Sequence, residues 1–425
     1  MLFKVLSLGC KVNSYECSSS GSNLLKRGYF ECGKNNPDVV IINTCSVTAT
    51  ADQKSRQHIR KMMKEYPNAI CVVMGCYSQG NKDYIANEIK PHILIGTSHR
   101  DEIPKLIDQY LKDKQQIVLV DDNPRKFDYE EMGITSYSEN VRAYLKVGDG
   151  CDNFCSYCLI PYRRGKLRSR AKENIIEEAK YLINEGYKEI VLTGIHVGGY
   201  GRDLEGVSFS SLVKDLAELP NLYSLRISSI EESEIDDELI DLVINNPVLA
   251  KHLHIPLQSG SDTVLKRMNR KYDSTQFIEK LTYIRKRLPD IALSTDVIVG
   301  FPGETDEEFN ETVETIKKSG FNMLHVFPFS AREGTLAYKM PNQINPSVKK
   351  QRVQVLLELS RQLWDGYVNR FIGKEVQVLI EKNDSEKMTA IGHTSNYIDV
   401  CIYKSEAKPG EIISVLLQKD MIISK

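Results

Sequence analysis

The sequence predicts an α/β chain in three parts: an N-terminal doubly wound parallel sheet, a central partial (β/α) barrel and a small C-terminal antiparallel β-barrel. Three observations carry that prediction. To about residue 120, short apolar runs alternate with stretches of helical spacing, and a second such series starts near residue 141. The remainder, from residue 372, instead holds β-rich runs divided by turns. With 425 residues, the chain is long enough for two to three domains with sizeable cores.

In chain order, FKVLSL, VVIINT, AICVVMG, ILIGT and IVLV read as buried parallel strands, apolar throughout because helices cover both faces. This unit spans 1–120. The polar stretch DDNPRKFDYEEMGITSYSEN, rich in turn formers and charge, predicts a linker or flexible excursion over 121–140. AYLKVGDG, EIVLTG, YSLRISS, HLHIPL, IALSTDVIVG and FNMLHVFPFS then give six parallel strands over 141–345, separated by helices such as KENIIEEAKYLINEG and TDEEFNETVETIKKSG. Chemistry in such a barrel belongs at the C-terminal ends of its strands. Asn345-Pro346 predicts a helix start. Val353, Leu356, Leu363, Tyr367 and Phe371 mark one face of a connecting helix over 346–371. KEVQVLIEK, KMTAIGHT, YIDVCIY and EIISVLLQ complete 372–425 as the small barrel.

The composition, 41% hydrophobic and 27% charged, is ordinary for a globular protein. A formal net charge of -1 gives no overall attraction to nucleic acid or anionic membrane, so any basic site is local. No apolar run approaches the length of a transmembrane helix, and the apolar start of MLFKVLSLGCKVN is too short for a signal peptide. A cytoplasmic address follows, without membrane contact. There the 10 cysteines stay reduced and serve as ligands, nucleophiles or small core residues.

DGCDNFCSYCLIP sets Cys151, Cys155 and Cys158 in C-x3-C-x2-C spacing directly after the first barrel strand. Three thiolates on one tight loop can hold three irons of a cubane cluster that normally takes four cysteines, leaving one iron open. The alternative is zinc, but a structural zinc site wants a fourth Cys or His nearby, and the next histidine is His196. Cys10, Cys45 and Cys76 end three strands of the N-terminal unit as LGC, NTC and MGC. Ligands of doubly wound sheets bind at the carboxyl ends of strands, so these three predict a second site with three thiolates and one open iron. The alternative is that small residues suit strand ends and a reduced cysteine packs well in a core. Cys17, Cys32, Cys71 and Cys401 have no such placement.

CDNFCSYCLIPYRRGKLRSR, in a barrel-like setting over roughly residues 141 to 330, resembles the radical S-adenosylmethionine (SAM) superfamily. Together with GCKVN, NTCSVT, GCYSQ, HIPLQSGSD and DVIVGFPGET, nearly the whole chain resembles the methylthiotransferases, and GHTSNYIDV resembles a TRAM module, a small β-barrel of RNA-modifying enzymes. The resemblance implies two [4Fe-4S] clusters, each with three cysteine ligands and one open iron. It implies that SAM binds one open iron and is cleaved by one electron to methionine and a 5′-deoxyadenosyl radical. The other cluster would carry a sulfur that one SAM methylates, while a second SAM supplies the radical that activates the substrate carbon. The implied partners are tRNA, a reductant protein such as flavodoxin or ferredoxin, and sulfide or another sulfur donor. LGCKVN and GIHVGGYG are similar to the MtaB-type branch, which acts on carbon-2 of N6-threonylcarbamoyladenosine next to the anticodon. Other branches act on isopentenyl-adenosine in tRNA or on a ribosomal-protein aspartate. A non-catalytic metal-containing RNA-binding protein is the alternative from a different class.

The resemblance sets Tyr157, between the last two loop cysteines, against the adenine of SAM; otherwise it is a core aromatic. Gly194, Ser229, Glu231 and Gln258 stand at strand ends as SAM contacts, although Ser229 and Glu231 would also suit a helix cap. In PYRRGKLRSR, Arg163, Arg164, Lys166, Arg168 and Arg170 could hold the SAM carboxylate and RNA phosphates, or form a solvated charge run. Arg332, after the sixth barrel strand, faces the expected substrate cavity. In the last unit, Tyr397 and Tyr403 could stack on bases or belong to the barrel. CSSSGS after Glu16 stands where better helix formers are expected.

Overall fold

The computed structural model describes residues 1–134 and 141–423. The first unit is a six-stranded parallel sheet: β1 (Leu2–Ser7), β2 (Phe30–Glu31), β3 (Val39–Thr44), β4 (Ile70–Gly75), β5 (Ile93–Ile95) and β6 (Ile117–Leu119). Every residue of β3 and β4 is buried, because helices cover both faces. The strand order is β2-β1-β3-β4-β5-β6, so it reverses between β1 and β3. That switch point is where an open sheet leaves a crevice at its carboxyl edge.

The helix Lys11–Leu25 forms through CSSSGS because Ser19, Ser20, Gly21 and Ser22 are all buried. A Cβ on Gly21 would stand 3.4 Å from the Phe3 ring. Small side chains let this helix lie between the sheet and the barrel, where Tyr15 donates to Glu178 at 3.1 Å. Tertiary packing overrides the weak propensity.

The expected excursion at 121–140 is packed as far as it is described, and residues 135–140 lie outside the described residues. Met132 and Ile134 are buried, Glu130 pairs with Arg100, and Ser19 donates to the Gly133 carbonyl at 2.8 Å.

The barrel comprises β7 (Arg142–Asp149), β8 (Arg168–Ser169), β9 (Glu189–Gly194), β10 (Ser224–Ile227), β11 (His252–His254), β12 (Ala292–Val299) and β13 (Met323–Pro328). All six expected strands run parallel; β8 is an antiparallel two-residue addition against β7. Bridges Leu225–Leu249 and Ser229–His254 join the β7-β9-β10 and β11-β12-β13 groups into one open arc. The helix Pro346–Val368 starts at Asn345, whose side chain accepts from Ser347 N, and buries Leu356 and Tyr367.

The last unit is an antiparallel sheet of β14 (Glu375–Asp384), β15 (Thr389–Thr394), β16 (Asp399–Tyr403) and β17 (Ile412–Leu416), ordered β16-β15-β14-β17. It docks where the barrel strands begin: Glu189 contacts Arg142 at 3.2 Å, Arg226 at 2.9 Å and His393 at 3.3 Å. Tyr397 stacks on His252 at 4.9 Å beneath Arg226, so it belongs to this joint, whereas Tyr403 is exposed. Among the described residues, no helix is long and apolar enough to cross a membrane.

Candidate functional site

The carboxyl edge of the first sheet faces the mouth of the barrel. Cys10 follows β1, Cys45 follows β3 and Cys76 follows β4, on both sides of the switch point. Two of them need the glycine before them. Gly9 has φ +107° and a Cβ there would stand 2.6 Å from Cys45 Cβ; Gly75 has φ +105° and a Cβ would meet Asn43 Oδ1 at 2.3 Å. Only glycine takes that backbone conformation at that spacing without strain. Asn13 ties these ends together: its Nδ2 donates to the Leu8 carbonyl at 2.6 Å and the Thr44 carbonyl at 3.2 Å, and Cys10 Sγ donates to its Oδ1 at 3.5 Å.

Cys10 is exposed, whereas Cys45 and Cys76 are buried. Burial pushes Cys45 up; burial also pushes Cys76 up to about 11, with Arg164 opposing and Cys10 and Cys45 adding to the rise. None of the ten cysteines is in a disulfide. Buried neutral thiols with neighbouring thiols suit a metal that takes their protons on binding.

Cys151, Cys155 and Cys158 lie on the loop after β7. The sulfurs accept hydrogen bonds: Cys151 from Asn153 N at 3.5 Å, Cys158 from Ile160 N at 3.4 Å, and Cys155 from Arg270 Nη1 at 3.4 Å. Such bonds are among the means by which a protein tunes a cluster on cysteine ligands. The loop is anchored by Ser156, which donates from N to the Met268 carbonyl at 3.0 Å and from Oγ to the Arg267 carbonyl at 2.8 Å. Burial pushes Cys158 up to about 12. Among the described residues, no three His, Cys, Asp or Glu side chains stand in the tight grouping of a ready-made metal cage.

Of the expected SAM contacts, Gly194 pairs with Gly148 in the β7–β9 ladder, and Ser229 is exposed beside the β10–β11 seam. Gln258 has φ +63° and bridges to Val297. Glu231 both caps the short turn Glu232–Glu234 and pairs with Arg270. Tyr157 packs edge-on against Phe301, with ring centres 6.4 Å apart. Sequence reasoning missed Arg270, which joins Glu231, Tyr272 and Cys155; in NRKYD it is one basic residue among several. It also missed the position of His196, buried between Cys151 and Glu234; burial lowers its pKa, yet those two partners lift it to about 10.

The arginine loop differs most from expectation. Arg164 and Arg170 are not open to solvent: Arg164 is 0% exposed and Arg170 2%. Arg170 is held by Glu178 at 2.5 Å and by Glu131. Arg168 is also buried and donates to the Pro124 carbonyl at 3.0 Å. Their partners come from remote elements, which a local charge run cannot reveal. Lys166 is exposed, lining with Arg168, Asp152, His196 and Arg202 a cleft of about 580 Å³ beside the cysteine loop. Arg163 is half-buried over Gly80; burial and Arg332 lower its pKa. Arg332 crosses from the barrel to the first sheet, donating to Ser46 Oγ at 3.1 Å and pairing with Asp52 at 2.5 Å.

Two family models match this architecture: the radical SAM superfamily over residues 145–316 and uncharacterized protein family UPF0004 over 3–96. The threonylcarbamoyladenosine tRNA methylthiotransferase MtaB of Bacillus subtilis is 42% identical over 97% of this chain and 93% of its own length. The chain belongs to the radical SAM tRNA methylthiotransferases. The MtaB protein of Aquifex aeolicus is 34% identical over 97% of this chain and 98% of its own. A tRNA-2-methylthio-N(6)-dimethylallyladenosine synthase of Acetivibrio thermocellus is 35% identical over 89% of this chain and 80% of its own. Among solved structures, the radical SAM methyltransferase TsrM of Kitasatospora setae, with tryptophan and a SAM analogue, superposes at a TM-score of 0.57 with 13% identity, covering 77% of this chain and 72% of its own. That likeness supports the fold. For this methylthiotransferase, superfamily membership implies a [4Fe-4S] cluster and SAM.

Proposed function

We propose that this methylthiotransferase converts N6-threonylcarbamoyladenosine next to the anticodon of tRNA into its 2-methylthio derivative, in the cytoplasm. The observation that supports this reading is a pair of arginine bridges: Arg164 joins Cys76 to Asp149, the residue that ends β7 just before the loop of Cys151, Cys155 and Cys158, and Arg332 joins the barrel to Ser46, next to Cys45. The bridging gives the two groups one fixed relation, which a reaction joining two centres to one target atom requires. The branch is supported by 42% identity, over 97% of this chain, to the MtaB of B. subtilis.

In this reading Cys151, Cys155 and Cys158 would hold one [4Fe-4S] cluster, which would supply the electron for SAM cleavage, and Cys10, Cys45 and Cys76 would hold a second, which would supply the sulfur to be transferred. The residues of the chain then have separate tasks. Arg270 donates to Cys155 and fixes Glu231, so the SAM-facing carboxylate and the cysteine loop move as one. Gly194, Ser229, Gln258 and Tyr157 complete the SAM surface. Lys166 and Arg163 meet the anionic substrate, while Arg332, buried and paired with Asp52, ties the barrel to the first sheet. Arg164 and Arg170, fully buried in ion pairs, serve the packing of barrel against sheet instead. Residues 1–120, 141–345 and 372–425 act as sulfur-bearing, SAM-bearing and RNA-binding units. An electron carrier such as flavodoxin or ferredoxin and a sulfide source complete the turnover.

Reconstituted enzyme, SAM and reductant are incubated in parallel with tRNA bearing threonylcarbamoyladenosine or isopentenyladenosine, and nucleosides are read by mass spectrometry. A methylthio product on the first alone supports the reading. A product on the second alone transfers the chain to the dimethylallyladenosine branch. SAM cleavage with neither product removes tRNA as the substrate and makes ribosomal protein the next target.

A further inference from the structure

Arg164 uses all of its hydrogen-bonding capacity in one place. Its Nε donates to Cys76 Sγ at 3.2 Å. Nη1 donates to Glu16 at 2.7 Å and to Asp149 at 3.1 Å. Nη2 donates to Asn13 and to Glu16, each at 3.2 Å. A guanidinium has five N–H donors in a planar fork, and here each has an acceptor. Those acceptors lie among the sheet thiols and at the end of the strand that leads into the Cys151 loop. Cys76 is one of the sheet thiols, Asn13 receives the Cys10 thiol, and Asp149 ends β7 directly before the loop that carries Cys151.

We infer that Arg164 is a positioning residue that fixes the sheet thiols against the Cys151 loop and raises the reduction potential of the cluster on Cys10, Cys45 and Cys76. The inference rests on the two-cluster reading above. A charged donor at a ligand sulfur stabilises the more negative, reduced state, and hydrogen bonds to sulfur are one of the settings of cluster potential. Lysine cannot substitute. Its ammonium is a compact point charge with three donors, unable to span a sulfur and two carboxylates lying in different directions.

The test uses the full chain with Cys151, Cys155 and Cys158 all changed to Ala, reconstituted anaerobically and titrated with dithionite under EPR detection. In that background Arg164→Lys lowers the reduced-to-oxidised ratio at the parent midpoint at least tenfold, about 59 mV for a one-electron couple. In the reciprocal background, with Cys10, Cys45 and Cys76 changed to Ala, the same substitution moves the ratio less than threefold. The double variant Arg164→Gln/Glu16→Gln removes one cation and one carboxylate together, keeps the buried charge balanced, and shows the same selective shift even where a single variant fails to fold. An iron-loaded sheet site whose midpoint does not move overturns the inference, as does an equal shift at both sites, which would mean general loosening. A parent background that takes up no iron at the sheet site overturns the two-cluster reading itself, and the inference with it.

Discussion

Glu16→Gln tests the joint between the first sheet and the barrel. Glu16 is 0% exposed and contacts Arg100, Lys146 at 3.0 Å and Arg164 at 2.7 Å, while Asn43 donates to its second oxygen at 3.0 Å. Glu130 and Asp149 complete the group, so three carboxylates face three cations. Glutamine keeps the shape and leaves no cavity, but the count becomes two against three and an amide N–H now faces buried donors. Removing one partner of a buried charged set costs roughly 3–5 kcal/mol. Urea unfolding followed by circular dichroism reads the difference. Burial pushes the Glu16 carboxyl up, but Arg100, Arg164 and Lys146 together hold it well below its usual 4.5. A depressed carboxylate contributes stability above its unfolded pKa and loses it as pH falls through the folded value. The gap between parent and variant is therefore full at neutral pH and closes only in acid, below 4.5. A loss under about 1 kcal/mol at neutral pH, the scale of an exposed pair, refutes the reasoning.

Gly75→Ala forces φ +105° on an L-residue with a Cβ 2.3 Å from Asn43 Oδ1, so reconstituted iron falls by about half while the Cys151 site still loads; unchanged iron would contradict the strand-end geometry. Arg163→Ala lowers the magnitude of the log–log salt slope of tRNA binding by about one with little change in melting temperature, whereas Arg170→Ala lowers the melting temperature because the buried Glu178 loses its cation and keeps only Tyr15; the reverse pattern would restore Arg170 to the substrate surface. The joint of the last unit is sensitive to pH at both ends. Burial raises Glu381, but His393 and Arg142 hold it down to about 2; burial lowers His393, but Glu189 and Glu381 raise it overall. The stability from Glu381 is present above 4.5 and lost toward 2, and that from His393 is present below 6.5 and lost as pH rises through its raised value. Calorimetry should find the joint most stable between those limits, and a flat profile would count against the assignment.

Much of this was legible in the sequence because periodicity and position carry it. Buried strands showed as apolar runs, and the cysteines after β1, β3 and β4 became a group once a doubly wound sheet was assumed, since its carboxyl edge brings remote strand ends together. What escaped depended on remote partners or on brevity. β2 and β8, at two residues each, give no period to read. The run Arg163 to Arg170 announced charge but not direction: Glu16, Asp149, Glu178 and Glu131 draw Arg164 and Arg170 inward, and only the fold brings them there. Met132 and Ile134, too few for a pattern, pin a segment whose polarity suggested looseness. CSSSGS read as a poor helix in isolation and is a good one between two packed layers.

Iron and labile sulfide counted per chain after anaerobic reconstitution test the two-cluster reading most directly. The parent chain should hold about eight irons with matching sulfide. About four should remain when Cys10, Cys45 and Cys76 are changed to Ala, and about four when Cys151, Cys155 and Cys158 are. Four irons in the parent, unaffected by loss of the sheet cysteines, or zinc without sulfide, would contradict it.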